Sequence, residues 1–360
     1  MTRQMHPNLD KTRHYLVVIL NAIIPITIAF LIGSVAIILA KDNPLTTYGV
    51  LFQKSLFNVQ GLLKTLHYAA PLILTGLAIA VSFKAGLFNM GIEGQLLVSG
   101  FTVAILGYEF SYLPSMVLIP LCLVSGALVG MITAIIPAVL KAFYNVNEMV
   151  VTLLLNYAII QVLEYLTSTI FRNPSSGYVS TNMIGSNAII TRILDSKLTA
   201  FFFIAIGVFI IIYIIMKKSK LGFEITAMGK NRFFAEASGM NVKKKVIIIM
   251  LISGALAGLA GAGWMLGEKF SYTLDFSGTP GLGWDGMLIA LLGSNSPIGI
   301  LVSAIFYAAL KTGSSSIAIF TSVPSEIIVL IQALIILFLS VKFIKNPVKS
   351  QKGKKQEEGK

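Results

Sequence analysis

The chain of 360 residues is 56% hydrophobic and only 12% charged, with a mean hydropathy of +0.83. A soluble globular chain carries about 25% charged residues, so an ordinary water-soluble domain is excluded. The formal charge of +13 is not matched by any folded basic module, so nucleic acid is not an expected partner.

Apolar runs that can cross a hydrocarbon core about 30 Å thick recur along most of the length. The first, Tyr15 to Ala40, follows a polar, basic head over residues 1–14. It is too long for a signal peptide and lacks a small-residue cleavage site, so it reads as a retained helix. Further runs cover Ala69 to Phe83, Gln95 to Gly107, Ser115 to Leu140, Met149 to Ile170 and Leu198 to Met216. Val246 to Leu266, Ile298 to Leu310 and Ile327 to Phe343 follow. Met287 to Gly293 is too short to span, and "SNSP" after it leads into another apolar run. That pair reads as a re-entrant half-helix and its return, which protein or water must cover. The expected fold is all-α: a polytopic transmembrane bundle over 15–343 with about eight to ten membrane segments, some broken or re-entrant.

Orientation follows from Lys and Arg. The loop 217–245 holds Lys217, Lys218, Lys220, Lys230, Arg232, Lys243, Lys244 and Lys245 against Glu224 and Glu236. The head carries Arg3, Lys11 and Arg13, and the tail 344–360 is lysine-rich. Placing all three inside makes both termini cytoplasmic and sets the tail against anionic membrane lipid. Arg172, Arg192 and Lys197 then fall in a long outer loop, where the rule weakens.

The stretch "KAGLFNMGIEGQLLVSG", from Lys84 to Gly100, breaks the apolar pattern between two such runs. Its glycines permit a bend and close helix approach. Asn89, Glu93 and Gln95 are costly in lipid and should face the protein interior or a wet pathway. Glu148, Thr152 and Asn156 add a second polar stripe, because i, i+4 and i+8 share one helix face. Interhelical hydrogen bonding alone would also account for these six. A second Gly-Leu followed by polar residues occurs at Gly281 to Asp285, and Asn295 follows the short run. Such interruptions in two halves of a chain point to a transport pathway. "SGALVG" from Ser125 recurs as "SGALAG" from Ser253, with small residues four apart.

Within the inner loop, "GKNRFFAEASGM" reads as a short surface helix. Asn231 and Arg232 start it, Phe233, Phe234 and Ala237 form its centre, and Gly239 is its left-handed stop. Exposed aromatics on such a helix need a cover.

"GLFNMGIEGQ", "NVNEMVVTLLLNY" and "AMGKNRFFAEASGMNV" together resemble the permease subunits of ABC importers in the branched-chain amino acid and simple-sugar superfamily. They are most similar to its nucleoside branch, which is served by basic membrane protein lipoproteins. The resemblance runs from about Ala69 to Phe343. It implies a fold like that of type II importers, a separate ATP-binding subunit, a second homologous permease and a substrate-binding lipoprotein in a bacterial cell membrane. Glu236, Ala237 and Gly239 match the family's coupling loop, with Ser238 in place of a second alanine. On that reading Lys230, Asn231, Arg232, Phe233, Phe234, Glu236, Ala237 and Gly239 couple to the ATPase. Asn89, Glu93, Gln95, Thr152, Asn156, Asp285 and Asn295 line the substrate pathway. A simple-sugar permease is the nearest alternative.

Other chemistry is not indicated. "GLGWDG" lacks the β-α-β context of a dinucleotide site, and "KTG" at Lys311 lacks its S-x-x-K partner. There is no P-loop, so any ATPase is a separate chain, and no catalytic set is expected. Cys122 stands alone, and His6, His14 and His67 stand apart in sequence, so no metal or other cofactor is expected. An ion-coupled carrier would use Glu93, Glu148, Glu164, Asp285 or Glu326, but would not need the docking helix.

Overall fold

A computed structural model of the chain describes residues 7–278, 281–321, 323–324 and 326–339. The basic tail 344–360 and the first six residues of the head lie outside the described residues. Among the described residues fourteen α-helices carry the fold, and the only β pairing is two isolated bridges, Ser180 with Thr273 and Arg192 with Thr199. The chain divides into two compact units, residues 55–309 and the two flanking segments.

The flanking unit holds α1 (Pro7–Leu39), α2 (Pro44–Ser55) up to Lys54, and the chain from Leu310 onward. α1 starts eight residues before the expected apolar run, and α2 was not foreseen. The two meet at 116°. The bend is held where the Tyr48 hydroxyl donates to the Phe30 carbonyl at 2.8 Å, with the two rings edge to face.

The larger unit begins with α3 (Val59–Lys84) and α4 (Ile92–Glu109), separated by an unwound stretch. α5 (Ser115–Tyr144), α6 (Glu148–Ser168) and α7 (Phe201–Lys218) follow, with α5 and α6 joined by a short turn. α8 (Lys220–Lys230) and α9 (Arg232–Ala237) make most of the inner loop helical. α10 (Val242–Trp264) ends in a π-helical turn, Met265–Lys269. α11 (Leu274–Gly278), α12 (Leu282–Leu292) and the first part of α13 (Pro297–Phe320) complete it. α14 (Glu326–Leu339) belongs to the flanking unit, where its Ile331 packs on Gly33 of α1.

α3 and α10 are largely buried, as helices apolar on all faces should be, while α5, α6 and α7 expose most of their apolar length. Six helices among the described residues are long and apolar enough to span a membrane, or seven if α1 and α2 form one bent span. The buried α4 and the shorter apolar α12 and α14 make up the rest of the expected segments.

The recurring "SGAL" segments meet each other. Gly126 lies against Gly258 and Gly130 against Gly254, so α5 and α10 cross antiparallel with backbone touching backbone. Ser99 of α4 donates to the Gly258 carbonyl at 2.5 Å, tying a third helix to the crossing. A methyl on Gly258 would press on backbone atoms of Gly126 and Gly130, which cannot turn aside. Gly258→Ala is expected to destabilise the solubilised protein by about 1–3 kcal/mol, read as a lowered thermal midpoint. Gly207→Ala on α7, where nothing lies within 4 Å of the added methyl, should leave the midpoint unchanged or raised.

Candidate pathway break and docking loop

The unwound stretch starts as a left-handed helix stop. Gly86 has φ +74, its N–H donates to the Phe83 carbonyl and the Leu87 N–H donates to Ser82, both at 3.0 Å. α4 does not begin until Ile92, so several backbone groups in between have no helical partner. Inside a membrane bundle such groups must be bonded by neighbouring protein.

α6 supplies those bonds. The Phe88 N–H donates to Glu148 Oε1 at 3.2 Å, and the Met90 N–H to Thr152 Oγ1 at 3.1 Å. Asn156 Nδ2 donates to the Met90 carbonyl at 2.7 Å, while its Oδ1 accepts from the Gly94 N–H at 3.0 Å. One polar residue per turn of α6 thus serves successive groups of an extended chain. Lys141, at the end of α5, holds the other oxygen of Glu148 at 2.9 Å.

The break's own side chains bond inward. Asn89 Nδ2 donates to Ser253 Oγ at 2.9 Å, and that hydroxyl donates to the Ala78 carbonyl at 2.7 Å. Asn89 also pairs with Gln95 and accepts from the Gly91 N–H at 3.0 Å. Glu93 reaches a different helix, accepting from the Gly281 N–H at 3.0 Å and the Gly283 N–H at 2.6 Å. It therefore caps the N-terminus of α12, where backbone N–H groups and the helix dipole favour a carboxylate. Gly283 permits this, since an added Cβ would overlap Glu93.

Five of the seven pathway candidates, Asn89, Glu93, Gln95, Thr152 and Asn156, are buried in this one knot. The remaining two lie along α12. Asp285, half-buried, accepts from the Tyr307 hydroxyl at 2.6 Å. Asn295, with φ +54, forms the turn that closes α12, its N–H donating to the Ala290 carbonyl at 2.8 Å. A void of about 10 Å³ beside Glu93, Met90 and Trp284 is too small for a solute. In this conformation the knot is closed.

The inner loop is built to the same standard. Asn231 Oδ1 accepts from the Phe234 N–H at 3.0 Å and starts α9. The Gly239 N–H donates to Glu236 at 3.0 Å and the Met240 N–H to Ala235 at 3.2 Å, with Gly239 at φ +81. That is the same left-handed stop as at Gly86. Phe233 and Phe234 are 83% and 70% exposed, so nothing among the described residues covers them. Glu236 and Ala237 are also exposed, and the buried residue of α9 is Ala235. Lys230, Asn231 and Gly239 lie exposed and Arg232 is half-buried.

The loop and the break share one end of the unit. Gly229 of α8 sits against the Lys84 carbonyl, where a side chain would collide, and a Cβ on Gly86 would lie 3.6 Å from Gly229 Cα. Glu224 of α8 pairs with Lys245 of α10 at 2.5 Å.

Sequence spacing missed a cluster at the other end of α3 and α10. His67 Nε2 lies 3.3 Å from Glu268 Oε2, and Lys197 Nζ lies 3.1 Å from Glu268 Oε1. The His67 ring stacks near Trp264 at 5.6 Å. His67, Lys197 and Glu268 are 71 to 201 positions apart in the chain, and no local pattern links them. Among the described residues no group of three His, Cys, Asp or Glu side chains could hold a metal.

A bundle of membrane-length helices, with a hydrogen-bonded break inside it and a short helix that exposes two aromatic rings, defines a multi-pass membrane protein. The chain belongs to the family described as the permease component of the branched-chain amino acid transport system, whose model matches residues 61–340. It is therefore a transport subunit, not an enzyme, and works with an ATP-binding subunit and a binding protein. It is 33% identical to the guanosine ABC transporter permease protein NupP of Bacillus subtilis, over 92% of this chain and 97% of that protein. It is 34% identical to the nucleoside ABC transporter permease protein NupB of Lactococcus lactis, over 93% of each. It is 32% identical to the glucose ABC transporter permease protein TsgB13 of Haloferax volcanii, over 88% of this chain and 86% of that protein. No solved structure matches the chain.

Proposed function

We propose that this chain forms half of the membrane pathway of an ATP-driven nucleoside importer in a bacterial cell membrane. The observation that carries the substrate is the near full-length similarity to permeases named for guanosine and nucleosides. A binding lipoprotein delivers the nucleoside, and a second, related permease supplies the other half of the pathway. Two ATP-binding subunits dock on the two inner loops, this chain contributing Lys230 to Gly239. Both termini then lie in the cytoplasm, with the basic tail against anionic lipid.

The knot at 85–95 lies at the docking-loop end and forms the inner end of the pathway. The side chains of Asn89, Gln95, Thr152 and Asn156 are neutral, which suits a solute rich in hydroxyl and ring-nitrogen groups. Charged nucleotides would be poorly served there, because burying an unpaired charge is expensive.

The glucose permease relative, nearly as similar, supports a sugar importer as the second reading. Uptake of labelled guanosine by cells with and without the chain separates the two. Deletion is expected to abolish uptake, with adenosine and uridine competing and glucose, ribose, leucine and nucleotides not. Competition by glucose or ribose alone would transfer the assignment to sugars. In a purified transporter, mass measurement should return two different permeases and two ATP-binding subunits. A working importer with this chain as its sole permease copy would refute that assembly.

A further inference from the structure

A cleft of about 520 Å³ opens where the outer loop after α6 meets the segment after α10. Tyr178, Lys269, Ser271, Thr273 and Asp275 line it. Its size falls within the roughly 300–1,000 Å³ of small-molecule sites. Its lining offers one aromatic ring, two hydroxyls beyond the phenol, one cation and one anion. Neither Lys269 nor Asp275 has an ion-pair partner among the described residues.

The wall of this cleft has irregular backbone. The last turn of α10 is π-helical from Met265 to Lys269, and Phe270 follows at φ +62. A bulky residue in that region is a strained outlier, and π turns recur at functional sites. The irregularity has a definite result. Glu268 turns inward to His67 and Lys197, while its neighbour Lys269 lines the cleft. The following segment is then fastened to the outer loop. The Ile184 N–H donates to the Phe270 carbonyl at 2.8 Å, the Thr181 N–H to Tyr272 at 2.9 Å, and the Tyr272 N–H to Thr181 Oγ1 at 3.0 Å. The segment that carries one wall of the cleft is thus tied to the loop that carries the other.

α10 starts beside the docking loop and runs 23 residues, about 34 Å at 1.5 Å per residue. The cleft therefore lies across the membrane from the docking loop, on the side where an imported solute arrives. We propose that it is the outer receiving site, taking a neutral ring-bearing solute from the binding protein before passage. Tyr178 stacks on the ring, and Lys269, Asp275 and the two hydroxyls bond its polar edge. Nucleoside as the occupant rests on the function proposed above.

The chain's single cysteine, Cys122, is fully buried, so a cysteine introduced in the cleft can be labelled selectively. Ser271→Cys is placed in the intact transporter with its ATP-binding subunits, partner permease and binding protein, in membrane vesicles. Wild-type uptake of guanosine and glucose is measured first, and the solute carried is used throughout. Failure of the nucleoside reading thus appears in the choice of solute, and failure of the cleft in the labelling. Loaded binding protein with ATP is expected to slow maleimide labelling by about 5-fold, as occupancy at several times the dissociation constant requires. Empty binding protein should leave the rate unchanged. Tyr178→Ala should raise the KM for uptake by about 10-fold, the loss of one stacking contact. Equal slowing by empty and loaded binding protein would make the cleft a receptor footing and overturn the proposal, as would no protection at all.

Discussion

Glu93→Gln is expected to reduce uptake by about 100-fold and destabilise the protein by about 2–4 kcal/mol, although the two side chains are nearly the same shape. The carboxylate accepts at both oxygens, one from Gly281 and one from Gly283. A carboxamide accepts at one atom only, and its NH₂ would face a backbone N–H in a site where Glu93 is 2% exposed. A buried donor left without an acceptor costs about 1–3 kcal/mol, and opposed donors add to that. α12 would then lose its anchor to α4, and with it the link between the two broken segments. Transport rate normalised to inserted protein, together with the thermal midpoint of the solubilised protein, measures both effects. Wild-type values for both would remove Glu93 from the knot. Asn156→Asp should also be costly: the acceptor for Gly94 is kept, but a carboxylate oxygen would face the Met90 carbonyl at a buried position, acceptor against acceptor.

The second large effect separates coupling from folding. Phe233 and Phe234 are exposed, so their joint replacement by alanine removes almost no packing within the chain. Stability should change by less than about 0.5 kcal/mol, as at other exposed sites. On the proposed docking, solute-stimulated ATP turnover should nonetheless fall to the unstimulated level, because the ATP-binding subunit would lose the two aromatic side chains it meets. Gly239→Val should uncouple by another route. The added side chain meets nothing within 4 Å, but the residue must hold φ +81. That conformation costs a residue with a Cβ about 1–2 kcal/mol, and a β-branched one more. Gly239→Asn, which tolerates the left-handed region, should recover most coupling. Normal stimulated turnover in the Phe233/Phe234 variant would show that the docking surface lies elsewhere. Glu236→Lys, also at an exposed position, should uncouple without loss of insertion.

Much of this was readable in the chain itself, because the signals are local. Membrane spans follow from runs of apolar residues, and the helix stops at Gly86 and Gly239 follow from the one residue type that enters left-handed backbone without strain. The Asn231 start of α9 and its two exposed aromatics have the same local origin. The polar spacing of Glu148, Thr152 and Asn156 showed that one face of α6 had work to do, yet not for which partner.

Tertiary structure alone decided the partners. The bonds from α6 go to backbone about 60 residues away, and those from Glu93 to backbone about 190 residues away. Which side chain satisfies which orphaned N–H depends on how the helices are laid side by side, and periodicity carries no information on that. The "SGAL" repeat makes the same point, since only the fold shows that its two copies meet each other where α5 crosses α10. His67, which stands apart from the other histidines in sequence, meets Glu268 because the π turn at the end of α10 packs beside α3. The bend between α1 and α2, the π turn and the outer cleft left no mark in composition or period. Apolar burial is set by residue type, which the sequence states directly; hydrogen-bond partners are set by geometry, which exists only after the chain has folded.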